Sequence, residues 1–166
     1  DFTMLRDNER AIFRRSNLGF IFQDFNLLDN FTIEDNIRLP LVLAGEDYKT
    51  MHAKVQPLAK QLGIEQLLNK YPYEVSGGQK QRLSIARAIA KKPEIFIFDD
   101  SFSALDFKTD STLRKALKAH TKDATTIIVA QRISTILNAD KIIVLDDGHM
   151  AGIGTHKELM KNCEVY

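Results

Sequence analysis

The chain has 166 residues, of which 44% are hydrophobic and 27% are charged, the balance of an ordinary globular domain. Its 23 Lys and Arg residues and 22 Asp and Glu residues give a net charge of +1, which argues against a protein that binds nucleic acid through a basic face. One cysteine excludes an intrachain disulfide and a cysteine-based zinc site, and no apolar run approaches the ~20 residues needed to cross a bilayer.

The front of the chain predicts one strand followed by helices. Residues 18–22 (LGFIF) form an apolar run that stops at Gln23. Thr32 predicts the start of a helix over 32–43, and apolar residues at helical spacing predict an amphipathic helix over 51–62 that Gly63 ends.

The back of the chain alternates between strands and helices. Predicted strands cover 95–98, 125–130 and 142–145, with a return strand after Asp147-Gly148; predicted helices cover 64–69, 79–92, 109–120, 133–138 and the residues after Thr155. Apolar strands that alternate with helices predict an α/β fold with a largely parallel sheet.

Two acids follow the apolar strand IFIF. Asp99 and Asp100 therefore belong at the carboxyl end of a strand, where open α/β sheets bind ligands. A carboxylate there commonly holds Mg²⁺ against phosphate oxygens, although an acidic surface turn would give the same pattern.

A second motif is VSGGQ, residues 75–79. Two glycines at the start of a helix let a phosphate approach bare backbone amides, and the helix dipole favours the anion. Ser76 can donate a further hydrogen bond. The same residues also fit a capped helix that follows a flexible segment.

The order and spacing of these motifs resemble the nucleotide-binding domain of ABC transporters. Gln23 resembles the Q-loop glutamine, VSGGQ the signature motif and Asp99 the Walker B aspartate. SALD, which ends at Asp106, resembles the D-loop, and Gln131 occupies the switch-histidine position. The resemblance implies ATP and Mg²⁺ as cofactors, with ATP contacts from Gln23, Ser76, Gly77, Gly78, Gln79, Asp99 and Asp106, metal contacts from Gln23 and Asp99, and catalytic roles for Asp100 and Gln131.

The resemblance also implies an architecture. Residues 1–23 and 93–166 would form a P-loop-type ATP-binding core, and 24–92 an inserted helical subdomain. Two such domains pair head to tail as a homodimer or heterodimer beside a transmembrane domain or permease subunit, at the cytoplasmic face of the membrane. Apolar residues after the Q-loop, Phe25 and Leu27-Leu28, would line a groove for that membrane partner or pack internally. No nucleic acid is expected as a partner.

The sequence departs from the family pattern at three places. It contains no GxxxxGK[ST] phosphate loop, so we expect a domain truncated at its N-terminus and inactive as an isolated chain. Asp100 stands where the family usually has Glu, and Gln131 where it usually has His. Asp has a shorter reach and Gln cannot carry a positive charge. Both substitutions are typical of the degenerate site in a heterodimeric exporter.

The sequence leaves two alternatives open and argues against a third. The chain could be a catalytically degenerate half that only supplies its signature helix, or a non-functional truncated or mosaic fragment. Its front resembles stand-alone ATPase subunits of peptide-antibiotic and lipoprotein export, whereas its back resembles multidrug exporter domains. The third alternative, a chromosome-maintenance or DNA-repair ATPase, would carry long heptad repeats between Gln23 and Ser76, and none is present.

Overall fold

A computed structural model of the chain describes residues 2–100 and 111–166, in two compact units, Asp1–Val129 and Ala130–Tyr166. The elements of the first unit are, in chain order, α1 Asp7–Asn17, β1 Leu18–Ile21, α2 Ile33–Leu43, α3 Tyr48–Gln61, α4 Gly77–Ala90, β2 Ile95–Asp99, α5 Ser111–Thr121 and β3 Thr125–Val129. Short 3-10 turns cover Phe2–Met4, Glu65–Leu67 and Pro72–Glu74. The second unit contains α6 Ile133–Ile136, β4 Ile142–Asp146, β5 His149–Gly154 and α7 His156–Asn162.

A parallel sheet with the order β1-β2-β3 organises the first unit. Ile21 of β1 lies opposite Phe98 of β2, and Asp99 of β2 lies opposite Val129 of β3. Because all three strands run in one direction, their carboxyl ends meet at one edge. The predicted α/β fold with a parallel sheet is confirmed.

The hydrophobic core joins this sheet to helices α2, α3 and α4. Phe96 and Phe98 of the central strand are buried, as are the apolar positions that predicted the amphipathic helix, Val55, Leu58, Ala59 and Leu62. Burying such side chains contributes about 1.5–3 kcal/mol each, so this cluster is the main stabilising feature of the unit.

Local capping explains where the helices begin. Thr32 accepts a hydrogen bond from the Asp35 amide, as predicted. Asp47 accepts one from the Thr50 amide, so α3 begins at Tyr48, three residues before the predicted start. The predicted helix over 64–69 is only a 3-10 turn at Glu65–Leu67.

Strand β3 differs from the expectation of a covered parallel sheet. It lies at the end of the strand order, and the side chains of Ile127 and Val129 are 48% and 52% exposed. An apolar strand reads the same in the sequence whether it is central or at an edge, so this exposure could not be predicted.

The second unit is an antiparallel hairpin, β4-β5, followed by α7. Asp147 and Gly148 both adopt left-handed φ angles, +46° and +78°, which confirms the predicted turn. Thr155 and Glu158 form the predicted capping box of α7. Within residues 2–100 and 111–166, no helix has the length and apolar character that a membrane span requires.

Candidate functional site

Oxygen-bearing side chains collect at the carboxyl edge of the parallel sheet. Asp99 ends β2, Asp100 follows it, and Gln23 lies two residues beyond the end of the adjacent strand β1. The Asp100 amide donates to the Val129 carbonyl oxygen at 3.0 Å, and Asp100 itself has a φ of +41°, in the left-handed region. Asp100 is 9% exposed, Asp99 is half-buried and Gln23 is exposed.

These residues fit a magnesium ion that a phosphate ligand helps to hold. Carboxylate and amide oxygens are the donors that Mg²⁺ prefers. The described residues contain no group of three or more His, Cys, Asp or Glu side chains arranged to hold a metal. Mg²⁺ is typically bound by one or two carboxylates together with substrate phosphates and water, and the carboxylates at this edge match the protein's share of such a site.

The SGGQ motif forms the N-terminus of α4. Ser76 is the N-cap: its Oγ accepts from the Gln79 amide at 3.4 Å, and the Gln79 side-chain oxygen accepts from the Ser76 amide at 2.9 Å. The helix begins at Gly77, two residues before the predicted start, because this capping box closes its first turn. Among the residues that the structure describes, the amides of Gly77 and Gly78 have no acceptor.

The fold itself does not require either glycine of this motif. A Cβ atom at Gly77 or Gly78 would meet nothing within 4 Å, and neither residue has a positive φ. Both are exposed, although glycine is among the poorest helix formers. The two glycines therefore leave open space against bare backbone amides at the positive end of a helix dipole, where an anion binds favourably.

Two further site residues were predicted from the sequence, Gln131 and Asp106. Gln131 is exposed in the second unit, at a cavity of about 220 Å³ whose other walls are mainly aliphatic. Asp106 lies outside the described residues, together with the rest of the SALD segment.

A groove that the sequence did not reveal lies beside the turn after Gln23. Its volume is about 410 Å³, and its apolar lining comes from Phe20, Phe22, Leu39, Pro40 and Leu43. Among the residues that the structure describes, the charged groups at this groove are the cations Arg14, Arg15, Arg87 and Lys91, and no carboxylate lines it. The lining residues belong to four elements, so no local pattern predicts them.

The apolar residues that follow Gln23 do not line this groove. Leu27 packs against the hydrophobic core, Leu28 is 44% exposed, and neither they nor Phe25 contribute to the groove. Leu27 therefore follows the alternative of internal packing, and a contact between the membrane partner and Phe25 or Leu28 stays a prediction.

Known proteins resemble this chain in sequence and in fold. A family model described as ABC transporter matches residues 3–103. The chain is 41% identical over 148 residues to the ABC transporter ATP-binding protein YxdL of Bacillus subtilis, an alignment that covers 88% of this chain and 58% of YxdL. It is 40% identical over 157 residues to the putative multidrug export ATP-binding/permease protein SAB1799c of Staphylococcus aureus, covering 92% of this chain and 27% of that protein.

A solved structure extends the comparison to the fold. The dimeric structure of MJ0796, a bacterial ABC transporter cassette, superimposes with a TM-score of 0.80 at 32% identity, covering 91% of this chain and 68% of the cassette. The chain thus spans little more than half of one relative and about a quarter of another. The matched family model, the relatives and the shared fold identify this chain as a member of the ABC transporter family, within the ATP-binding domain of exporter-like type.

Proposed function

We propose that this domain binds MgATP at a head-to-tail interface with a second nucleotide-binding domain and couples its hydrolysis to transport through a membrane partner. The observation that carries the proposal is the exposed SGGQ terminus. Gly77 and Gly78 have no role in the chain's own packing, and their amides lack acceptors within the described residues. A phosphate bound mainly to another subunit supplies an acceptor for both.

The two halves of the proposed nucleotide site have different tasks. Ser76, Gly77, Gly78 and Gln79 bind the phosphates of an ATP held by the partner. Gln23 and Asp99 hold Mg²⁺, whose positive charge, when it is bound, offsets charge on the phosphates. Asp106 takes part in the contact between the subunits.

Asp100 is the proposed general base, which orients and deprotonates the attacking water, and Gln131 is the proposed hydrogen-bond donor to the terminal phosphate. Asp is one methylene shorter than Glu, and a misplacement of about 1 Å can reduce a rate by ~10²-fold. Gln donates a hydrogen bond without a positive charge. Asp100 and Gln131 therefore favour slow hydrolysis. They also support a second candidate function, in which this domain is a degenerate half that mainly completes the active site of its partner.

We also propose how the domain is divided into subdomains. Residues 1–23 and 93–166 belong to the ATP-binding core, and 24–92 to the helical subdomain. The groove between α1, α2 and α4 is the proposed contact with the membrane partner, because its apolar lining is open to a side chain from another protein. This arrangement would hold the domain at the cytoplasmic face of the membrane.

The test is ATP hydrolysis by the protein expressed from its complete reading frame with its membrane partner. Gly77→Asp puts a carboxylate where phosphate would bind and should reduce hydrolysis to background. Lys49→Asp puts the same group in the first turn of α3, at another exposed helix N-terminus, and should leave hydrolysis unchanged. Equal loss in both variants, or full activity in Gly77→Asp, would contradict the proposal.

A further inference from the structure

A single arginine ties the turn after Gln23 to the helix that begins with SGGQ. Arg87 lies on the last turn of α4, 61 and 62 residues from its two acceptors. Its NH1 group donates to the Asn26 carbonyl oxygen at 2.5 Å, and its NH2 group donates to the Phe25 carbonyl oxygen at 2.8 Å. The planar guanidinium therefore binds two consecutive peptide carbonyls, a geometry that its fixed fork of donors allows.

The backbone that Arg87 holds is strained. Phe25 and Asn26 have φ angles of +64° and +45°, in the left-handed region that is costly for residues other than glycine. Within the turn, the Phe25 amide donates to the Phe22 carbonyl oxygen at 3.2 Å and the Asn26 amide to the Asp24 carbonyl oxygen at 2.7 Å. Such a conformation persists only where the surroundings fix it, and the two carbonyl contacts to Arg87 do so.

In the described part of the chain, the hydrogen-bond partners of the Arg87 guanidinium are the carbonyl oxygens of Phe25 and Asn26. Burial of the Arg87 guanidinium lowers its pKa, and no described carboxylate forms an ion pair with it. Hydrogen bonds to a charged donor are stronger than those between neutral groups. The contact is therefore favourable on both sides, because it satisfies a desolvated cation and stabilises a strained turn.

The far end of the same segment is fixed independently. The buried Asn36 of α2 accepts a hydrogen bond from the Leu28 amide at 2.9 Å and donates to the Leu28 carbonyl oxygen at 3.0 Å. Residues 25–28 are thus held by α4 at one point and by α2 at another. Gln23 is exposed and lies two residues before Phe25, the first residue that Arg87 holds.

We propose that Arg87 is a positioning residue that fixes the turn carrying Gln23 against α4, so that Gln23 and the SGGQ terminus keep one relative position. The inference rests on the proposed function for its consequence in catalysis. Its structural basis, the contact between Arg87 and the turn, can be tested without any activity.

The first test is hydrogen–deuterium exchange of the amides of residues 23–28 in the chain itself. Arg87→Met should raise their exchange by about tenfold or more, since two charge-assisted hydrogen bonds are lost. Arg87→Lys should give a smaller rise. Lys91→Met is the matched control, because Lys91 is also partly buried on the same side of α4 and also donates to main-chain carbonyls, those of Arg14 and Arg15. Unchanged exchange in Arg87→Met, or an equal rise in Lys91→Met, would overturn the inference.

The second test is a double-variant cycle on the complete protein with its membrane partner. Arg87→Met should lower kcat with little change in the KM for MgATP, and it should add nothing to the loss caused by Gln23→Ala. Full additivity of the two losses would overturn the positioning role. Absence of hydrolysis in the unmodified protein would instead count against the proposed function, and the exchange experiment would still decide the role of Arg87.

Discussion

Ser76 and Gln79 cap each other at the start of α4. The Gln79 side-chain oxygen accepts from the Ser76 amide at 2.9 Å, and the Ser76 hydroxyl accepts from the Gln79 amide at 3.4 Å. This exchange stabilises the helix start through residues that flank the two glycines rather than through the glycines themselves. The helix is therefore formed in advance, with the Gly77 and Gly78 amides available to an outside acceptor.

The first prediction separates the stability of the chain from its function. Gly78→Ala should raise the free energy of unfolding by up to about 1 kcal/mol, because alanine is the better helix former and its Cβ meets nothing within 4 Å. The same variant should reduce ATP hydrolysis in the complete protein, because the methyl group occupies the space next to the amides. Urea unfolding and a hydrolysis assay measure the two effects.

The control for this prediction is Gly63→Ala. Gly63 has a φ of +66° after α3, where any other residue is strained. This variant should lower the free energy of unfolding by about 1 kcal/mol. A Gly78→Ala variant that is both stabilised and fully active would show that nucleotide binding does not need the open space at Gly78.

The second prediction concerns the pH dependence of stability at the start of α3. Hydrogen bonds from the Thr50 hydroxyl and amide hold the pKa of Asp47 below its ordinary value of 3.8. A carboxyl with a depressed pKa in the folded state stabilises the fold above its ordinary pKa, and this contribution disappears as the pH falls through the folded-state value. The difference in melting temperature between the unmodified chain and Asp47→Asn should therefore be constant from pH 5 to 7 and should shrink below about pH 4.

Comparison with the Asn variant removes the effect of other titrating groups. Glu9 and Glu158 also have lowered pKa values through similar hydrogen bonds, but they are present in both proteins and cancel in the difference. If the difference in melting temperature between the two proteins does not change between pH 3 and 7, the charge of Asp47 contributes nothing to stability.

The third prediction concerns the two departures from the family pattern. Asp100→Glu combined with Gln131→His should raise the hydrolysis rate of the complete assembly by roughly 10²-fold, because the longer carboxylate can reach the attacking water. Single-turnover measurements report this step directly. Asp100→Asn with Gln131→His is the matched control and should stay slow, since an amide cannot act as the base. An unchanged rate in the Glu variant would show that these positions do not limit turnover.

Features that depend on neighbouring residues could be predicted from the sequence. The cap at Thr32, the turn at Asp147-Gly148 and the two acids at the carboxyl end of β2 each follow from a few adjacent residues, and the structure has all of them. The ordered motifs also predicted the family, because their spacing reflects a whole domain. The roles of the individual site residues stay predictions.

Features that depend on distant residues could not be predicted. Arg87 and the Phe25 carbonyl are 62 residues apart, and nothing in the helix that contains Arg87 indicates which backbone it contacts. Asn36 lies at a helical position that is ordinary for a polar residue, yet it is fully buried because four carbonyl and amide groups of residues 28–32 surround its side chain. The groove could not be predicted either, because its lining residues come from separate parts of the chain.

The central claim is that SGGQ acts on a nucleotide held by the other subunit, and the most direct test is complementation between two inactive variants of the complete protein. One copy carries Gly77→Asp, which blocks phosphate binding at SGGQ. The other carries Asp99→Asn, which removes a carboxylate from the proposed metal site. Each variant alone should be inactive. In a head-to-tail pair, the mixture contains dimers in which the intact Asp99 of one copy faces the intact SGGQ of the other, so ATP hydrolysis should reappear on mixing. If the mixture stays as inactive as its components although mixed dimers form, SGGQ does not act across the interface and the account is wrong.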